Sequence, residues 1–282
     1  MRRFDFRSLT LLIMALAVAL MTSVVRPAMA DDDPFGVLNR IKSAGVLKAP
    51  VMVGEEPGYI KDPNTGEWSG FYVEWANEIA ELLGVKVETV ETTWGNLAAD
   101  FQAGKIDIAI GLNPNPKRGL VVDYLTVPLF TDAWALSVPE GSTLKTWAEL
   151  NDPKIRLVVQ KGSTMQVVAE ALAPKAQITP VEDRNLAVLE LKSGRADAIV
   201  LAVFDALQVK KEGIGEIVLP EPLLRNPATI GVARQPGNSG YINFLTNWVQ
   251  QQRALGLAQG KLNAAWEKAG IDLSALPPGF SF

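Results

Sequence analysis

Two stretches of this chain follow one plan. Asn96–Ile110 reads NLAADFQAGKIDIAI and Asn185–Val200 reads NLAVLELKSGRADAIV. Each opens on Asn-Leu-Ala, continues as a helix closed by a glycine (Gly104, Gly194), and then passes through a basic residue into an apolar strand. The strand carries Asp three positions after the glycine, at Asp107 and Asp197. Two copies are too few for a solenoid, which needs at least three. They instead predict two similar α/β lobes, each built round its own sheet.

The rest of the chain alternates in the same way. Val46–Val53, Val85–Val90, Ile106–Ile110, Arg156–Val159, Ile178–Val181 and Ala198–Ala202 read as short strands. Between them fall helices at Phe71–Leu83, Asn96–Ala103, Thr164–Leu172 and Asn185–Ser193. Gly84 follows the first of these at the position that favours a left-handed stop. Strands separated by helices of this size imply parallel sheets with right-handed crossovers. The last segment, Tyr241–Ala269, reads as helical, with Trp248 and Trp266 on its apolar, core-facing side.

Composition narrows the chemistry. Arg2, Arg3 and Arg7 precede the apolar run 9–21, and Ala28-Met29-Ala30 has the small-x-small pattern of a processing site, so residues 1–30 read as a cleaved secretory signal peptide. The apolar run is shorter than the roughly 20 residues of a membrane-spanning helix. Cysteine is absent, which excludes disulfides, lipid-modified cysteine and thiol catalysis. Histidine is absent as well, so a Ser-His-Asp triad is impossible and the commonest metal ligand is missing. No EF-hand spacing appears, and no cofactor or metal is expected. From residue 31 onward the chain holds 23 basic and 30 acidic residues, a net charge of −7, with no basic run to hold nucleic acid.

In open α/β sheets ligands bind beyond the carboxyl ends of the strands. Four such ends carry candidate residues. The first strand leads to Glu55, Glu56 and Tyr59. Ile106–Ile110 runs into GLNPNPKRG, with Asn113, Asn115 and Arg118. Arg156–Val159 leads to Gln160-Lys-Gly-Ser-Thr164, where Ser163 or Thr164 can cap a helix whose first N–H groups form an anion site. Ala198–Ala202 leads to Val203-Phe-Asp205. Arg118 has the planar fork that bonds a carboxylate twice. Set against the helix start at Ser163-Thr164, it makes a two-sided carboxylate clamp. Tyr59 and Trp94, both in loops, either stack on a ligand or pack the loops.

TGEWSGFYVEWANEIAELLGV (Thr65–Val85), WGNLAADFQAGKIDIAIG (Trp94–Gly111), PKRG and VDYLTVPLF (within Pro116–Phe130), VVQKGSTMQ (Val158–Gln166) and LKSGRADAIV (Leu191–Val200) together resemble the family 3 periplasmic solute-binding proteins, the amino-acid-type receptors of ABC importers. The likeness runs in order along the chain beyond the signal peptide. It implies the type II periplasmic binding protein fold, two α/β lobes with a ligand cleft between them and two hinge strands, near Phe130–Leu136 and Asn226–Val232. Lobe 1 would comprise residues 31–132 and 229–282, and lobe 2 residues 133–228. The implied activity is binding, without catalysis, of a small carboxylate-bearing solute by a periplasmic monomer that delivers it to a membrane permease. Carried over by position, Arg118 holds the carboxylate with Ser163 and Thr164, and Trp94 and Tyr59 form aromatic walls.

The chain departs from the family in three ways. Asn113 and Asn115 stand where Ser and Thr are usual, and their loop is one residue short. The usual ammonium-binding Asp falls on Ala202, which leaves Glu55, Glu56 or Asp205 as substitutes for an amine and also suits a carboxylate whose amine is absent or modified. A dehydratase of the cyclohexadienyl type on the same fold, with Glu55, Glu56 or Lys161 as its acid, is the enzymatic alternative. A sensor or accessory binding protein without a transport role is the third.

Overall fold

The computed structural model describes residues 33–271, so the expected signal peptide lies outside the described residues. Among the described residues no helix is long and apolar enough to cross a membrane.

The first half runs α1 (Gly36–Ala44), β1 (Val46–Val51), a small hairpin of β2 (Ile60–Lys61) and β3 (Trp68–Ser69), α2 (Phe71–Leu83), β4 (Lys86–Glu91), α3 (Leu97–Gln102), β5 (Ala109–Leu112), β6 (Val122–Tyr124) and β7 (Phe130–Val138). The second half runs α4 (Trp147–Leu150), β8 (Arg156–Gln160), α5 (Thr164–Leu172), β9 (Gln177–Val181), α6 (Arg184–Lys192), β10 (Ala198–Ala202), α7 (Val203–Lys211), β11 (Glu216–Val218), β12 (Arg225–Ala233), α8 (Ser239–Ala254) and α9 (Leu257–Lys268).

Two nine-residue strands, β7 and β12, hold the architecture together. Residues 130–133 of β7 pair antiparallel with 225–228 of β12. Beyond this crossing the two strands take different partners within one eight-stranded sheet. The far half of β7 pairs with β10 and β11. The far half of β12 pairs with β5 and β6. Both expected hinge segments therefore lie largely within strands shared between the two halves. Parallel pairing holds for β1–β4, β8–β10 and β8–β9. The sheets are mixed rather than wholly parallel, because both long strands enter antiparallel.

The repeated Asp explains the internal likeness. Asp107 accepts the Lys48 N–H at 3.0 Å, while its own N–H donates to the Lys48 carbonyl at 2.8 Å. Asp197 does the same to Arg156, at 2.8 Å in both directions. In each copy the carboxylate pins a strand start to its neighbour and adds a guanidinium, Arg40 for Asp107 and Arg156 itself for Asp197. This pin shifts the strand expected at Ile106–Ile110. Residues 106–108 are buried, but the paired strand begins at Ala109 and runs to Leu112.

The segment expected to be helical, Tyr241–Ala269, is helical in two pieces. Gly256, at φ 67°, takes the left-handed conformation that ends one helix and starts the next, so α8 and α9 are separate. Trp248 and Trp266 are buried, as the sequence predicts. The core between α2, β7, α7 and α9 is aromatic: Phe71 meets Trp75, Trp75 stacks on Phe130, and Phe130 meets Phe204 edge-on. Phe204 lies flat on Trp266, with centroids 4.5 Å apart.

Replacing Asp107 with Ala should cost about 2 kcal/mol, since it leaves the half-buried Lys48 N–H without its acceptor and removes an ion pair to the half-exposed Arg40. Asp197→Ala should cost less, about 1 kcal/mol, because its carboxylate is partly solvated. Urea denaturation of the two variants checks the order.

Candidate functional site

A cleft opens over the crossing of β7 and β12. Its empty volume, open mouth included, is about 650 Å³. The floor comes from the crossing itself. Phe130 and Asp132 lie two apart on one face of β7, and their register partners on β12 are Ala228 and Asn226. The walls come from strand-end loops: Glu55 and Glu56 after β1, Asn113 and Arg118 after β5, Ser163 to Met165 after β8, and Ala202 to Asp205 after β10. Trp266 of α9 closes the base.

Arg118 begins a short 3₁₀ turn, Arg118–Leu120. It is 5% exposed, and burial draws its pKa below the usual range, an effect partly offset by the Tyr124 phenol. Its guanidinium donates to the Gly162 carbonyl at 3.0 Å and lies over the Trp94 ring, 5.7 Å from the centroid. The arginine is thus held between an indole and the loop before α5. Gly162 has φ 72°, and a Cβ there would stand 2.5 Å from the Cα of Gly95, so only glycine lets these loops touch.

Ser163 is the N-cap of α5. Its hydroxyl accepts from Gln166 N–H at 3.3 Å and donates to the Gln160 carbonyl at 2.7 Å. It shapes the helix start, and Thr164 borders the cleft with its hydroxyl 3.5 Å from the Asn113 carbonyl. Asn113 lines the cleft and donates to the Pro227 carbonyl at 3.0 Å.

Asn115 has another task. Its Oδ1 accepts from the N–H groups of Lys117 and Arg118, at 3.0 and 3.2 Å, so it folds the Pro-rich turn and does not line the cleft. Tyr59 is likewise displaced from its expected place. It is 3% exposed in the core, 5.0 Å from Tyr72, and Tyr72 supplies the aromatic wall instead. Tyr72 fits because Gly111, at φ 81°, has no side chain. A Cβ there would stand 2.2 Å from the ring. Lys161 is exposed and stands outside the cleft.

The strongest electrostatic feature of the site was not anticipated. Arg184, the first residue of α6, is 3% exposed and donates at 2.6 Å to both Glu55 and Asp205. Glu55 also accepts from Gln160 at 2.6 Å and from the Trp94 indole N–H at 2.9 Å. Burial raises the pKa of both carboxyl groups, against the pull of Arg184. The signal for Arg184 was the pair Asp183-Arg184 before Asn-Leu-Ala, where the first copy has Gly95. Asp183 caps the helix through the Leu186 N–H. Asp132 was also missed, although it is an acid within the apolar strand FTDAWALSV.

Ala202 lines the cleft as the uncapped N-terminus of α7. Asp132 serves that end from the neighbouring strand, accepting the Phe204 N–H at 3.4 Å.

Residues 51–165 match the model for bacterial extracellular solute-binding proteins, family 3. The chain is 28% identical over 172 residues to a cyclohexadienyl dehydratase of Pseudomonas aeruginosa, a match covering 60% of this chain and 63% of that protein. It is 26% identical over 260 residues to an L-cystine-binding protein of Escherichia coli K12, covering 91% and 94%. Among solved structures, the ancestral amino acid-binding protein AncCDT-1, described as a precursor of cyclohexadienyl dehydratase, superposes with a TM-score of 0.71 at 30% identity, covering 82% of this chain and 98% of that one.

Arg184→Met should destabilise the protein by about 3–5 kcal/mol, because Glu55 and Asp205 would remain buried without their cation. Adding Glu55→Gln to Arg184→Met should recover part of that loss. A double-mutant cycle by chemical denaturation measures the coupling.

Proposed function

The chain belongs to family 3 of the bacterial extracellular solute-binding proteins, and from that premise we propose that it binds a small carboxylate-bearing solute between two lobes and hands it to an ABC importer. The observation that carries this reading is Arg118. A buried cation at a strand end, beside the Trp94 ring, is answered only by neutral groups, the Gly162 carbonyl and the Tyr124 phenol. A carboxylate is a far stronger acceptor than a carbonyl, and a guanidinium can give it two parallel bonds. The N-terminus of α5, shaped by Ser163, offers the second side of the clamp.

In this reading residues 31–132 and 229–282 form the first lobe and 133–228 the second. Arg118 and Glu55 belong to the first lobe; Gly162, Gln160 and Arg184 belong to the second. Their bonds are therefore contacts of the closed state. Opening the lobes exposes Arg118 to solvent, and closing over a ligand restores a dry clamp. The protein works as a monomer in the periplasm, without a cofactor, and its macromolecular partner is a membrane permease.

A catalytic reading has one observation in its favour beyond the dehydratase relative. Glu55 is a buried acid in a carboxylate cleft, with its pKa raised chiefly by burial. Its oxygens, however, are taken by Arg184, Gln160 and Trp94, which suits a fixed structural carboxylate better than a proton donor. Formation of phenylpyruvate from prephenate, followed by absorbance, separates the two. Turnover would replace the binding reading.

A thermal-shift screen of amino acids and simple carboxylates should yield a ligand that stabilises the mature protein by about 2.7 kcal/mol at one hundred times its Kd. Arg118→Ala should remove that stabilisation. Arg118→Lys should lose most of it, because a point charge cannot replace the fork.

A further inference from the structure

Two pockets meet at one pair of side chains. Besides the cleft, a second pocket lies against the ends of β1, β4, β8 and β9, and its empty volume, open mouth included, is about 610 Å³. Met52, Val53, Thr92, Thr93, Gln160 and Glu182 contribute to its lining. Among the described residues, only Glu55 and Trp94 border both spaces. These two are bonded to each other: the Trp94 indole N–H donates to Glu55 Oε1 at 2.9 Å.

The pair forms a partition, and the partition is braced. Glu55 Oε1 also accepts from the Gln160 amide at 2.6 Å, and Oε2 accepts from Arg184 at 2.6 Å. Glu55 is buried, and the indole it holds lies beside the Arg118 guanidinium. A carboxylate fixed by a guanidinium, an amide and an indole does not swing aside freely. Charge-assisted bonds are the strong ones, and stripping a buried carboxylate of its donors is costly. A methylene group pressed against it gains far less. Because the same indole borders Arg118, a solute held there lies against a wall that its chain end cannot displace.

We propose that the Glu55–Trp94 pair is a length gate: it ends the cleft, keeps the second pocket out of reach, and so limits how long a chain the bound solute can carry. This rests on the reading of Arg118 as the carboxylate clamp. Gln160 braces the gate from the end of β8, so the partition is complete only when the loops after β1 and β8 meet. Removing the Glu55 side chain opens the way into the second pocket. It does not leave Arg184 alone, because Asp205 still accepts from it at 2.6 Å.

Calorimetry on the mature protein tests this with straight-chain acids of three to eight carbons, each as the plain acid and as the L-2-amino acid. In the wild type, affinity should rise about fourfold per methylene up to one length and fall about tenfold or more at the next. Glu55→Ala should abolish that fall, so that longer chains go on gaining. Val53→Phe, which narrows the second pocket, should change nothing in the wild type and restore the fall in the Glu55→Ala protein. Trp94→Phe, which keeps a ring beside Arg118 and removes the N–H, should weaken the fall and serves if the Glu55→Ala protein binds no acid.

Four results would overturn the inference. The first is a wild-type series with no such fall, and the second is an unchanged fall in both Glu55→Ala and Trp94→Phe. The third is a Val53→Phe effect on the wild type as large as that on Glu55→Ala, which would mean that the solute already reaches the second pocket. The fourth is loss of every acid by both variants, which would make the pair part of the clamp and not a gate. In each of these cases Arg118→Ala should still abolish wild-type binding, and the clamp reading stands. If no acid of either series binds the wild type, the clamp reading fails for these probes and takes the inference with it.

Discussion

One guanidinium, that of Arg184, stands buried between two carboxylates, and much of the cleft depends on it. Taking three ions out of water costs several kcal/mol each, and only short bonds in good geometry offset this. Here both bonds are 2.6 Å, and Glu55 spends its other oxygen on Gln160 and Trp94. The consequence is positional. With its N–H held by Glu55, Trp94 keeps its ring over Arg118. A chain of contacts thus runs from a cation in α6 to the cleft-lining cation after β5.

The second constraint is the crossing of β7 and β12. The two strands pair with each other only over their first residues and then take different partners, and side chains at the crossing line the floor of the cleft. Phe130, Asp132, Asn226 and Ala228 occupy those places. The aromatic core beneath, from Trp75 through Phe130 and Phe204 to Trp266, braces this floor from both sides.

Much of this was legible in the sequence for simple reasons. Helices and strands with a clear period, such as Phe71–Leu83, Thr164–Leu172 and Ala198–Ala202, appear where the pattern puts them. Arg118, Trp94, Asn113, Thr164 and Ala202 sit at strand ends and do line the cleft. Tyr59 and Asn115 do not, because a loop's local sequence does not say which way it turns: one ring goes to the core and one amide goes to its own backbone. Arg184 stayed hidden because its partners are 129 and 21 residues away. No local pattern encodes such a pairing. Asp132 was visible only as an acid in an apolar strand, and its place on the cleft floor needed the register with β12.

A structure of the protein with its bound solute tests the central claim most directly. The account predicts a carboxylate about 3 Å from the Arg118 guanidinium, beneath Trp94, with the Glu55–Arg184 bond intact. A solute seated in the cleft with no acidic group on Arg118 would contradict it.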